Sequence, residues 1–213
     1  MYKGHEKLLG RTIRASLGLF LFSFGVYLGV QANIGLAPWD ALSMGVSFHL
    51  PISYGTASVI ISLLIVLIDL LMHEHIGLGT ILDAVIVGES LNLFAWLDLI
   101  PKQSNPFVGA GMMAVGIFIM SFSQYLYMSS GLCCGPRDAL LVGLGRRIKR
   151  MPIGFVNILL LLFVLVISAL LGGPIGFGTL FATVCTGISM QLTFRLLHFE
   201  PRDVEHLGFY EMA

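Results

Sequence analysis

The sequence contains one half of itself twice. Residues 23–45 align without a gap on residues 121–143, and nine of the 23 positions are identical: Ser23, Phe24, Tyr27, Leu28, Pro38, Asp40, Ala41, Leu42 and Gly45 match Ser121, Phe122, Tyr125, Leu126, Pro136, Asp138, Ala139, Leu140 and Gly143. With the offset raised from 98 to 99 residues, Ile76-Gly77-Leu78-Gly79-Thr80 meets Ile175-Gly176-Phe177-Gly178-Thr179. Gly55, Val85, Gly88, Ser90 and Leu93 meet Gly154, Val184, Gly187, Ser189 and Leu192 at that same offset. Chance likeness between apolar stretches matches leucines and valines; it does not match Pro-x-Asp-Ala-Leu and Ile-Gly-x-Gly-Thr in one order and spacing. Whatever one half folds into, about residues 15–98, the other repeats over about residues 107–197.

The solvent for both halves is lipid. Hydrophobic residues make up 56% of the 213-residue chain and charged residues 11%, a balance that does not suit a water-exposed surface. A helix needs roughly 20 apolar residues to cross a hydrocarbon core of about 30 Å. Six nearly charge-free stretches meet that length, at 16–33, 53–72, 76–96, 107–130, 153–172 and 175–194. The whole chain, 1–213, reads as one integral membrane domain of all-α class, and the bilayer is its first partner.

Twelve Lys and Arg offset twelve Asp and Glu, so no basic excess is available to hold a nucleic-acid backbone. Cys133, Cys134 and Cys185 form no C-x-x-C pair and no even framework, so neither a zinc site nor a disulfide scaffold follows. Lys3, Lys7, Arg11 and Arg14 precede the first apolar run without a small-residue cleavage site, which predicts an uncleaved first helix. The other basic clusters are Arg146, Arg147, Lys149 and Arg150, and Arg195 with Arg202. Placing these on the cytoplasmic side puts both termini in the cytoplasm and fits six crossings.

Two segments remain, 38–50 and 136–145. Each opens on proline, suited to the first helical turn, with Asp40 or Asp138 two residues on, where the helix dipole favours a carboxylate. Both are too short for ordinary spans and predict re-entrant or interfacial half-helices. Each repeat then has three crossings and a half-helix, and the second repeat lies upside down relative to the first. Inverted repeats with broken helices meeting near the midplane are characteristic of secondary transporters. If both short segments cross instead, eight helices result and the halves are parallel, four plus four.

The run Gly35-Leu36-Ala37-Pro38-Trp39-Asp40-Ala41-Leu42, followed by Ser53-Tyr54-Gly55-Thr56 and Ile76-Gly77-Leu78-Gly79-Thr80, resembles the bacterial YczE-like proteins of the YczE/YyaS/YitT grouping. The resemblance covers nearly the whole chain and implies a multi-pass protein of the bacterial cytoplasmic membrane; it carries over no substrate and no catalytic residue. In the second half Arg137 replaces Trp39.

Acids inside a bilayer are costly and point to a cavity, a partner or a proton path. Glu89, in the middle of the third stretch, is the leading candidate, with Asp83 before it; their repeat mates are Ile188 and Ala182. Six residues turn a helix by roughly 240°, so the two acids do not share a face. Asp40 and Asp138 could flank a shared site or simply match their own helix starts, Asp138 pairing locally with Arg137. Trp39 could stack on a solute or anchor at the membrane interface. Asn92 and Gln124, like Asn157 and Gln191, could orient a ligand or link helices, and Gly25-x-x-x-Gly29 suits close helix packing.

His73-Glu74-His75 offers no third metal ligand and reads as a solvated turn, and Arg146 to Arg150 as a topology signal. No metal site, cofactor motif, nucleophile–base pair or P-loop is present, so the chain predicts no enzyme. It predicts a small-molecule transporter or permease, its small size favouring a homodimer. The alternative is a non-transporting membrane sensor or accessory protein.

Overall fold

The computed structural model describes residues 5–52, 54–74, 77–132 and 134–204, and every regular element among them is helical. Lys3, Ser53, His75, Ile76 and Cys133 lie outside the described residues, as do the side chains of Lys7, Tyr54 and Asn92. The first half runs through α1 (His5–Gln31), α2 (Pro38–His49), α3 (Tyr54–Leu71) and α4 (Leu78–Leu82). From α4 a π-helical turn, Asp83–Val87, leads directly into α5 (Gly88–Leu97). The second half repeats the order as α6 (Pro106–Met128), α7 (Pro136–Arg147), α8 (Ile153–Leu170) and α9 (Phe177–Leu196), closing on a 3-10 turn, Pro201–Asp203. Four stretches, Leu8–Gln31, Pro106–Met128, Ile153–Leu170 and Phe177–Leu196, are long and apolar enough to cross a membrane.

The polarity is that of a membrane protein. Trp96, Phe107, Leu170 and Phe177 are 70–89% exposed, an outward apolar coat that water would penalise and acyl chains accept. Small polar residues lie inside. The repeat mates Ser23 and Ser121 are fully buried and donate to the carbonyls of Leu19 and Ile117, themselves mates, at 2.8 and 3.0 Å. Buried hydroxyls satisfied one turn back are the usual solution where no water is at hand.

α1 and α6 form the central pair and run antiparallel. A Cβ on Gly18 would meet Tyr127, one on Gly25 would fall 2.6 Å from Met120 Cγ and 2.7 Å from the Gly116 carbonyl, and Gly109 lies on the Ala32 carbonyl. Backbones this close exclude larger side chains. Of the Gly25-x-x-x-Gly29 pair only Gly25 is needed for that approach, because a Cβ on Gly29 would meet open space.

The main contacts between the two halves come in exchanged pairs. α2 packs on α8 and α3 on α7. Gly45 lies against Leu171 and Gly173, and its mate Gly143 lies against Glu74, the mate of Gly173. Gly178 N donates to the Ile34 carbonyl at 2.8 Å, and Gly79 N donates to the Leu132 carbonyl at 2.5 Å. Thr179 Oγ1 and Thr80 Oγ1 accept from Gly176 N and Gly77 N at 3.1 and 3.4 Å. This accounts for the Ile-Gly-x-Gly-Thr motif: its threonine ties the helix start, and its second glycine admits the loop that leads into the other half's short helix. When residue i of one half meets j of the other and the mate of j meets the mate of i, the halves are related by an approximate two-fold.

Candidate functional site

The two short helices begin alike. Ala37 and Gly135, both extended, precede Pro38 and Pro136, and no side-chain hydrogen bond caps either start. The carboxylates two residues beyond the prolines are engaged by other elements. Asp138 accepts from the Tyr127 hydroxyl and, at 3.1 Å, from Gln124 Nε2, both on α6. Asp40 faces Arg137 across the repeat boundary, 3.9 Å from its Nη1. The pairing expected from the sequence, Arg137 with its neighbour Asp138, left out this partner: the cation reaches across to the other half's carboxylate. Arg137 also lies over the Trp39 ring, 5.4 Å from its centroid. Trp39 is thus half-buried at the contact between repeats, beside Leu42 and Ile61.

Asp83 completes the group. It opens the π-helical turn, and its carboxylate occupies the volume that a Cβ on Gly135 would need, placing it at the N-cap of α7. From there it is within electrostatic reach of Arg137 and Asp138. Five of the residues singled out in the sequence, Trp39, Asp40, Asp83, Gln124 and Asp138, therefore converge where the starts of α2 and α7 meet. Glu89 does not join them: it is exposed on the first turn of α5. Gln191 and Asn157 lie elsewhere, Gln191 accepting from Gly154 N at 3.0 Å to link α8 and α9.

Three acids stand differently from their expected roles or were not singled out. Asp69, inside the second apolar stretch, is 1% exposed, and its Oδ1 has no hydrogen-bond partner among the described residues; its mate Ser168 is equally buried and its Oγ equally unpartnered. A single acid in a run that otherwise reads as lipid-soluble was the available signal. Glu74 is no solvated turn residue: its side chain is 9% exposed and binds Arg146 at 2.9 Å and Arg147 at 3.6 Å. Arg147 also donates to the Met72 carbonyl at 2.8 Å, and Arg146 to the carbonyls of Arg202 and Val204, each at 3.2 Å. The basic cluster thus clamps α3, α7 and the C-terminal turn. There Arg202 forks onto Glu200 with two bonds of 2.6 Å. Burial alone would raise the Glu200 carboxyl, but the Arg202 bonds outweigh it and hold it below the usual carboxylate range. Among the described residues no group of three His, Cys, Asp or Glu could hold a metal ion.

The chain is 28% identical over 194 residues to the uncharacterized membrane protein YczE of Bacillus subtilis, covering 90% of this chain and 86% of that one. It is 31% identical over 166 residues to an uncharacterized protein of Haemophilus influenzae, covering 78% and 75%. It is 27% identical over 174 residues to the uncharacterized protein YyaS of Bacillus subtilis, covering 80% and 85%. No solved structure matches. The YczE-like resemblance read from Pro38-Trp39-Asp40 therefore extends through both repeats, and a family profile spans residues 9–195, from the first apolar helix to the end of the last: the chain belongs to the family of unknown function DUF6198.

Proposed function

We propose that the protein is a small-molecule permease of the bacterial cytoplasmic membrane, built from two inverted repeats that each contribute three crossings and one re-entrant half-helix. The inversion is supported by the antiparallel α1–α6 pair, since α1 and α6 are repeat mates. If eight helices crossed, these two would leave the same side of the membrane in the same direction. The observation that carries the functional reading is the joining of the α2 and α7 starts through Asp40 and Arg137, with Asp83 and Asp138 beside them. Half-helix N-termini and charged groups meeting between two inverted halves form the kind of site that alternating access exposes to either side. Both termini and the Arg146–Glu74 clamp lie on the cytoplasmic side, and the chain works without a cofactor and catalyses no covalent step.

The test is a thermal-shift screen of the purified protein against amino acids, amines, vitamins and small organic anions, because a ligand that binds the folded state stabilises it. Hits are then carried into uptake assays with reconstituted vesicles. A solute that stabilises the wild type but not Arg137→Gln, and that vesicles accumulate, supports the permease. A solute that stabilises but never crosses marks the site as a sensor's instead.

A further inference from the structure

We propose that Asp83 and Asp138 hold one exchangeable proton between them, making the start of α7 the proton-binding half of the site between the repeats. Judged by local hydrogen bonds and helix ends alone, each carboxylate is placed to be ionised. Asp83 lies at the positive end of α7, against Gly135, and Asp138 receives the Tyr127 hydroxyl and the Gln124 amide. Taken together they are not, because two negative charges within reach of each other in a poorly solvated site exclude one another. Arg137, which is within electrostatic reach of Asp83, is already engaged by Asp40 of α2. One proton on the pair leaves a single negative charge, which the start of α7 and the Tyr127 and Gln124 donors can hold.

Gln124 is an independent sign of that proton. It is 5% exposed and anchored on Asp138 through Nε2, yet its Oε1 has no hydrogen-bond partner among the described residues. A half-turn of its amide lets Oε1 accept from a protonated Asp138, whereas the present orientation donates to the ionised form. The side chain thus fits both charge states, and the exchange moves a single proton on or off a carboxylate oxygen with no other bond made or broken. The repeat mates of Asp83, Gln124 and Tyr127 are Ala182, Val26 and Gly29, so the start of α2 has no counterpart of this arrangement.

The inference gives the chemistry of the site on which the permease reading rests, but its readout needs no solute, so either can fail without the other. Infrared spectra of the lipid-reconstituted protein at neutral pH are compared for wild type, Asp83→Asn, Asp138→Asn and the double variant. The expected result is that each single variant loses the same one-carboxyl share of the protonated-acid band and the double variant loses no more, with Asp69 as constant background. Additive losses, or no loss in either single variant, overturn the proposal. Should the asparagine variants not fold, Tyr127→Phe keeps both acids and removes a donor to the ionised form. The one-proton alkaline titration of the band then moves to higher pH, and an unmoved titration contradicts the shared proton.

Discussion

Trp39 and Arg137 occupy the same position in the two repeats and stack on each other, guanidinium carbon 5.4 Å from the ring centroid. Residues related by a two-fold touch only where the axis passes, so this contact lies on the axis between the repeats, and the Arg137–Asp40 pair beside it joins the two halves there. Removing the cation by Arg137→Gln should weaken folding in a way that depends on the ring. A double-mutant cycle with Trp39→Leu, read by thermal unfolding in detergent, is expected to give a coupling of about 0.5–2 kcal/mol. A coupling of zero would mean that the stacked arrangement does not persist in solution.

The α1–α6 contact depends on glycine at some positions and not at others. A Cβ on Gly116 would sit 2.6 Å from the Gly25 carbonyl, with backbone on the far side, so Gly116→Ala should destabilise by roughly 1–3 kcal/mol. Gly29 and Gly111 face open space, so Gly29→Ala and Gly111→Ala should be neutral or, through helix propensity, stabilising by up to about 1 kcal/mol. Unfolding midpoints of the three variants side by side check the packing.

Asp69 is buried with an unpartnered oxygen where the other half has Ser168. Installing the mate's residue, Asp69→Ser, removes a poorly satisfied acid and should raise stability by about 1–3 kcal/mol. A lowered midpoint together with lost activity would show instead that the acid has a working partner.

The Glu200–Arg202 fork gives a pH signature. Because the folded carboxyl titrates below its unfolded value, the pair stabilises the protein above the ordinary glutamate pKa of about 4.3 and loses that contribution as pH falls through the folded value. Wild type should therefore be more stable than Glu200→Gln at neutral pH, and the two unfolding midpoints should converge in acid. A gap that is constant down to low pH would assign the difference to packing.

Much of this was written in the sequence. Pro38-x-Asp40 and Pro136-x-Asp138 marked both short helices to within three residues, because proline and an early carboxylate act locally on the helix start. The apolar runs marked the long helices for the same reason. What sequence could not give was direction and rotation. Whether the halves run parallel or opposed turns on two short segments crossing or not, and apolar content is silent on that. Glu89 stood in the middle of its stretch and yet faces outward, while Asp83 turns onto Gly135 at the π-helical turn, which shifts every later residue's angle about the axis. Arg137 looked like a partner for its neighbour Asp138, and only the approach of the other half supplied Asp40.

The inversion of the two halves is tested most directly by single-cysteine labelling in intact cells, with Cys133, Cys134 and Cys185 changed to serine. Inverted repeats predict that cysteines placed at Leu50 and Gln103 react with an impermeant maleimide from outside, whereas those at His73 and Lys149 react only after the membrane is opened. Protection of Leu50 and Gln103 together with outside labelling at His73 is the pattern of eight crossings and parallel halves, and would contradict the arrangement on which the site between α2 and α7 depends.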